Sequence, residues 1–207
     1  MKTLILAAVA AIGVATAASA ADDFDVNVLT TTVTTGNLEF SADVGVGDAV
    51  DSGENFAFGV KGTVLSYDVF GGASDVNVYG QYGQILGVSG YVIGAEYVWV
   101  TGLSDRVDLE LAADAAYVMP NGFDNELLLT PSTELTVDVT DSVAVFGGAG
   151  YTWVATDDFS QAGGYGELGL DISLTDTVGL RPSVIQPFDT GLGNEPMVGA
   201  LEVTFDF

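Results

Sequence analysis

Leu201-Glu202-Val203-Thr204-Phe205-Asp206-Phe207 is the stretch whose reading decides the fold. Extended backbone sends successive side chains to opposite faces. Met197, Gly199, Leu201, Val203, Phe205 and Phe207 therefore share one face, while Val198, Ala200, Glu202, Thr204 and Asp206 share the other. One face is apolar and ends on an aromatic ring; the other is largely polar. In water such a strand would be a poor edge to expose. As the closing strand of a barrel in a bilayer, it puts its apolar face in lipid and its aromatic end at the interface.

The same alternation recurs upstream. Leu38, Phe40, Ala42, Val44 and Val46 oppose Glu39, Ser41 and Asp43, and Phe58, Val60, Gly62 and Val64 oppose Lys61 and Thr63. Tyr91, Ile93, Ala95, Tyr97 and Trp99 have Glu96 behind them; Val107, Leu109, Leu111, Ala113, Ala115 and Tyr117 oppose Arg106, Asp108, Glu110 and Asp114. Leu135, Val137 and Val139 oppose Glu134, Thr136 and Asp138, and Val143, Val145, Gly147, Ala149, Tyr151 and Trp153 follow. Leu168, Leu170, Ile172 and Leu174 oppose Glu167, Asp171 and Ser173; Val178, Leu180, Pro182 and Val184 oppose Arg181 and Ser183. Every charge in these segments lies opposite the apolar set. A lipid-facing wall around a polar interior requires that pattern. A soluble β-protein would turn the apolar face inward, and alternation alone does not separate the two senses.

The connections add a second regularity. Short turns at Ser104-Asp105, Thr140-Asp141 and Thr175-Asp176 interleave with longer polar loops, as the short periplasmic turns and longer outer loops of such barrels do. If Phe207 is periplasmic, all three short turns fall on its side. Tyr97 and Trp99 then lie near that rim, and Tyr117, Tyr151 and Trp153 near the other, as two aromatic girdles.

The alternation Leu201, Val203, Phe205, Phe207 resembles the C-terminal assembly signal of bacterial outer-membrane β-barrel proteins, although Gly199 lies further from the end than the glycine of the usual pattern. The resemblance implies a small porin-like barrel of the Gram-negative outer membrane. Its partners would be the barrel-assembly machinery, periplasmic chaperones, outer-membrane lipid and lipopolysaccharide. At the other end, Met1-Lys2, the apolar run Leu4 to Ala15 and Ala18-Ser19-Ala20 read as a secretory signal peptide over residues 1–20.

Composition agrees. The chain has 29 acidic residues against 4 basic ones, a net charge of −25, 27 glycines, and no His or Cys. That charge argues against nucleic-acid partners, which need basic patches. Beyond residue 20, no run of 18 apolar residues could form a spanning helix. The expected architecture is all-β: an antiparallel transmembrane up-and-down barrel in one domain, 21–207. Counting back from Phe207 gives about ten strands, with eight or twelve left open. Residues 21–36 are left over, because an eleventh strand would put the N-terminus outside and bacterial single-chain barrels have even strand numbers. Either they form a periplasmic lead-in, or the count fails between Phe56 and Gly90, where the alternation is weakest.

Little in the sequence points to catalysis. Without His or Cys, the usual general bases and thiol nucleophiles are missing. The pairs Glu134/Asp138 and Glu167/Asp171 would stand roughly 13–14 Å apart on their strands, which suits a polar lumen lining better than paired carboxylate chemistry. No enzyme activity, cofactor or metal centre is expected. Loop acids Asp48, Asp51, Glu54, Asp157 and Asp158 could bind divalent cations, though they lack the spacing of a calcium-binding loop. A lumen charge network is expected from Arg181, Asp171, Glu167, Glu202, Glu110, Arg106 and Lys61, with Arg181 holding carboxylates across the last three strands. Two functions follow. One is a structural or porin-like outer-membrane barrel whose acidic lumen favours small cations if open. The other is a secreted or cell-surface soluble β-protein that binds ligands or partners in the lipocalin or adhesin manner.

Overall fold

The computed structural model describes residues 27–46, 56–85, 88–155, 160–188 and 197–207. The expected signal segment 1–20 lies outside them, as do Asp48, Asp51, Glu54, Asp157 and Asp158. The chain forms β1 (Asn27–Thr35), β2 (Leu38–Val46), β3 (Phe56–Val69), β4 (Gly72–Ile85), β5 (Val88–Ser104), β6 (Val107–Pro120), β7 (Glu126–Thr140), β8 (Val143–Val154), β9 (Ser160–Thr175), β10 (Val178–Phe188) and β11 (Val198–Asp206). Consecutive strands pair antiparallel, and β1 meets β11 to close one barrel.

The strand count is eleven, which corrects the expected ten. Residues Asn27–Thr35 are not a lead-in. They pair antiparallel with β2 across the Gly36-Asn37 turn, and parallel with β11 from Asn27↔Gly199 to Thr34↔Asp206. An odd number of alternating strands cannot close antiparallel throughout, so one contact must be parallel. Parallel ladders still pair every backbone group, with slanted bonds. Phe207 joins this seam by donating its N–H to the Thr34 carbonyl at 2.9 Å.

All five connections on the Phe207 rim are two-residue turns, at residues 36–37, 70–71, 105–106, 141–142 and 176–177. Those at 105–106, 141–142 and 176–177 use one device. The Ser104, Thr140 and Thr175 hydroxyls accept from the backbone N–H two residues on, at 3.4, 3.3 and 3.3 Å. Each of the three sits beside a register shift in its ladder. The turn at 70–71 takes positive φ at both positions, Phe70 and Gly71, as a type I′ hairpin turn requires. Connections on the opposite rim are mostly longer, reaching nine residues between β2 and β3.

Side chains sort by parity along each strand. Outward positions carry exposed apolar residues, such as Phe58 (58% exposed), Ile93, Leu111, Leu135 and Leu168 (63%). Inward positions carry buried polar ones, such as Glu39, Asn77, Glu96, Glu134 and Glu202. In β3 the alternation breaks at a bulge: Thr63 and Leu65 pair with adjacent Asn77 and Val76, leaving Val64 as the extra residue. Val64 and Leu65 are both exposed, and Ser66 then donates to Asp75 at 2.6 Å. Two strand prolines sit where a ladder is interrupted. The β7–β8 pairing passes over Thr130 and Pro131, and the β9–β10 pairing passes over Arg181 and Pro182. Proline has no N–H to give there.

The parallel seam can be tested by cross-linking, since the chain has no cysteine of its own. The double variant Thr31→Cys/Val203→Cys joins register partners on β1 and β11. It should oxidise to a species of altered mobility in the folded protein. No cross-link there, with one forming instead between cysteines placed on β2 and β11, would restore the ten-strand barrel.

Candidate functional site: the barrel interior

Arg181 organises the interior. It points inward from β10 and is 7% exposed. Its guanidinium meets Glu134 Oε2 at 2.5 Å and Asp171 Oδ2 at 3.9 Å. Asp171 is on neighbouring β9, but Glu134 is on β7, three strands away, so this bond spans part of the lumen. The guanidinium carbon also lies 3.6 Å from the centre of the Phe146 ring. Planar and weakly hydrated, a guanidinium can bond carboxylates at its edge while stacking on an aromatic face. Glu202, the register partner of Arg181, accepts from Thr32 Oγ1 at 2.9 Å.

Phe146 is the member that periodicity concealed. It is an apolar residue at an inward position of β8, 1% exposed, where polar side chains predominate. The ring crosses β9 at its register partner Gly169, where a Cβ would stand 2.5 Å from Phe146 Cζ and from the Pro182 carbonyl oxygen. Only glycine leaves that path clear. The same construction occurs twice more. Tyr79 of β4 lies over Gly94 of β5 to donate to Asp114 of β6, with oxygen contacts at 2.8 and 3.0 Å, and a Cβ on Gly94 would come 2.3 Å from the Tyr79 ring. Tyr165 of β9 lies over Gly150 of β8, where a Cβ would come 2.5 Å from its ring, and packs against the buried pair Val98 and Ala112 of β5 and β6. An inward glycine thus lets a long side chain pass one strand and reach the next. Buried polar groups need partners, and these crossings supply them.

Shorter bonds complete the network. Lys61 Nζ contacts Glu39 Oε1 at 3.1 Å across the β2–β3 register. Asn77 accepts from Thr63 at 2.8 Å and donates to Glu96 at 3.2 Å, while Gln81 donates to Asp43 Oδ2 at 3.2 Å. Glu110, Glu134, Gly148 and Glu167 occupy one register row on β6 to β9. They line a small pocket with Ser132 and Tyr165.

Of the seven residues expected in the charge network, Arg181, Asp171, Glu167, Glu202, Glu110 and Lys61 occupy inward positions on their strands. Arg106 does not. It sits exposed in the β5–β6 turn, one residue short of the strand, so its parity with Asp108 and Glu110 has no consequence. Glu134, read from sequence only as lining, is the nearest carboxylate partner of Arg181. Leu201, Val203, Phe205 and Phe207, the residues expected as an assembly signal, have the outward parity of β11. Tyr97, Trp99, Tyr117, Tyr151 and Trp153 also face outward; Tyr151 stacks on Trp153 at 5.0 Å between ring centres, and Trp99 Nε1 donates to the Val69 carbonyl at 2.9 Å. Among the described residues, no cluster of three His, Cys, Asp or Glu side chains could hold a metal ion. No protein-family model and no curated protein matches this sequence.

Arg181→Ala should destabilise the refolded barrel by about 3–5 kcal/mol, because it strands carboxylates in a buried site. Arg106→Ala, in an exposed turn, should stay within about 0.5 kcal/mol of wild type. Urea unfolding of both variants measures the contrast, and equal effects would remove Arg181 from the centre of the network.

Proposed function

We propose that the protein is a small outer-membrane β-barrel with a structural role, its interior crossed by side chains rather than left as a wide aqueous pore. The observation that carries this reading is the inversion of the usual burial pattern. Among the described residues, buried polar or charged residues outnumber buried apolar ones, 18 to 10, while the outer wall is lined by exposed Phe, Ile, Leu and Val. A soluble ligand-binding barrel keeps its apolar face away from water. A barrel in lipid exposes its apolar face and keeps charges inside.

Three further features support it. Every strand has 9 or more residues, the length a tilted strand needs to cross a hydrocarbon core, about 9–11 residues. Tight turns are gathered at one rim and longer connections at the other. Outward rings cluster near the long-loop rim, where Phe58, Phe56, Tyr82 and Tyr91 pack in a row, tilted to one another, with successive centres 4.9 to 6.2 Å apart. On this reading residues 1–20 are the export signal, and Phe207 with the alternation before it is what the assembly machinery engages. Lipid and lipopolysaccharide cover the wall.

Conductance should be low. An aqueous channel needs about sixteen strands, whereas barrels of about eight are filled by side chains. At eleven strands, the links Arg181–Glu134 and Tyr79–Asp114 restrict what is left. Any ions that pass should be small cations, drawn by the carboxylates. No reaction is proposed for these carboxylates.

Expressed in a Gram-negative host, the protein should fractionate with the outer membrane and migrate differently before and after boiling. Leu170→Arg, on the outer wall, should cost about 2–4 kcal/mol in a refolding titration, as a cation near the bilayer midplane does. Phe207→Asp should lower the membrane yield. Recovery of the wild type as a detergent-free soluble protein, with a negligible effect of Leu170→Arg, would instead favour the ligand-binding alternative.

A further inference from the structure

The described interior holds far more negative charge than the protein itself neutralises. Glu202 bonds Thr32, Glu96 bonds Asn77, Asp114 bonds Tyr79, and Arg181 and Lys61 take Glu134 and Glu39. Asp43 is different. It is 3% exposed; Gln81 Nε2 donates to its Oδ2, while its Oδ1 has no partner at hydrogen-bond distance, with the Thr30 hydroxyl as its neighbour on β1.

Two more buried oxygens close to it are in the same condition. Gln81 Oε1 has no partner, and it belongs to the amide whose nitrogen already touches Asp43. Thr30, 0% exposed, is the register neighbour of Asp43 on β1, and its Oγ1 also lacks a hydrogen-bond partner. A carboxylate oxygen and an amide oxygen can only accept. Two acceptors cannot satisfy each other, and the single proton of the Thr30 hydroxyl can serve only one of them, so the group they await must bring positive charge or further protons. Leaving them bare in a buried site is costly.

We propose that Asp43 Oδ1, Gln81 Oε1 and Thr30 Oγ1 form a lumenal binding site for a hard monovalent cation of the sodium class. All three candidate ligands are oxygens, which suits hard cations and not soft ones. The set contributes one formal negative charge with two neutral oxygens, so a single positive charge neutralises it. A calcium ion takes six to eight oxygens, and its affinity depends on how many ligands are charged. The site lies on the β1, β2 and β4 side of the interior, where Thr30 shares a register row with Glu202 of β11 and Arg181 of β10, one negative and one positive group. It requires a closed barrel with a polar interior and does not depend on what solvent covers the outer wall.

The test is thermal unfolding of the refolded full chain at constant pH and ionic strength, in sodium chloride and in the chloride of N-methyl-D-glucamine, a cation too large to enter. Equal ionic strength makes screening the same in both salts. A ligand that binds only the folded state raises the midpoint, so the wild type should melt higher in sodium. In Asp43→Asn that sodium-specific gap should vanish, and the broadening of the sodium-23 resonance by the protein should fall with it. Gln81→Glu provides a second arm should the first variant fail to refold. With two adjacent carboxylates, calcium should raise its midpoint at concentrations that leave the wild type unchanged. Equal wild-type midpoints in the two salts would overturn the proposal, as would an undiminished sodium gap in Asp43→Asn. A wild-type response to calcium larger than to sodium would overturn the monovalent assignment.

Discussion

Closure of the backbone ladder is the constraint on which the rest of this structure depends. A sheet with open edges leaves rows of N–H and C=O groups unpaired, and barrels remove those edges altogether. Ten hairpin-connected contacts bring the chain round, and the eleventh must be made between β1 and β11, which run the same way. The parallel register from Asn27 to Thr34, with the Phe207 N–H bond added, is what this closure requires. It also places the start of β1 at the rim opposite the end of β11. The proposed membrane reading depends on this closure, because apolar solvent would leave no substitute for a missing backbone bond.

Once the wall is closed, its two faces have separate tasks. The outer face carries apolar bulk, in alternating aliphatic and aromatic residues. The inner face must accommodate carboxylates that greatly outnumber the cations. It does so by reach. Phe146, Tyr79 and Tyr165 each pass over a glycine on an adjacent strand, and Arg181 bonds a carboxylate three strands away. Glycine weakens a strand locally, yet here it opens the only path for a ring between neighbours. Breaking one partner of such a network costs more than the pair contributes, because the remaining charge stays buried. That asymmetry makes Arg181 more consequential than its count of bonds suggests.

Much of the fold was legible from residue pattern. Alternation from Leu38 onward located ten of the strands, and the repeated Ser/Thr-Asp turns located one rim. Legibility failed where side-chain chemistry was the same on both faces. Thr30, Thr31 and Thr32 show no contrast between faces, so the alternation of β1 was weak and the even strand number of bacterial single-chain barrels argued against it; its pairing is settled by partners distant in sequence. The bulge at Val64 shifts parity within β3, which blurred the pattern between Phe56 and Gly90. Arg106 had the right parity but fell one residue into a turn.

By itself the sequence determined the two-faced character of the wall, because a period of two fixes which side chains travel together. It likewise determined which charges within the strands share one face. Tertiary structure decided how many strands close, and which charges meet. Both depend on the curvature and register of the whole sheet: Glu134 and Arg181 are 47 residues apart in the chain and three strands apart around the barrel. Local pattern carries no information at that range. Glycines that read as ordinary strand punctuation became passages only when a ring from a neighbouring strand was placed over them.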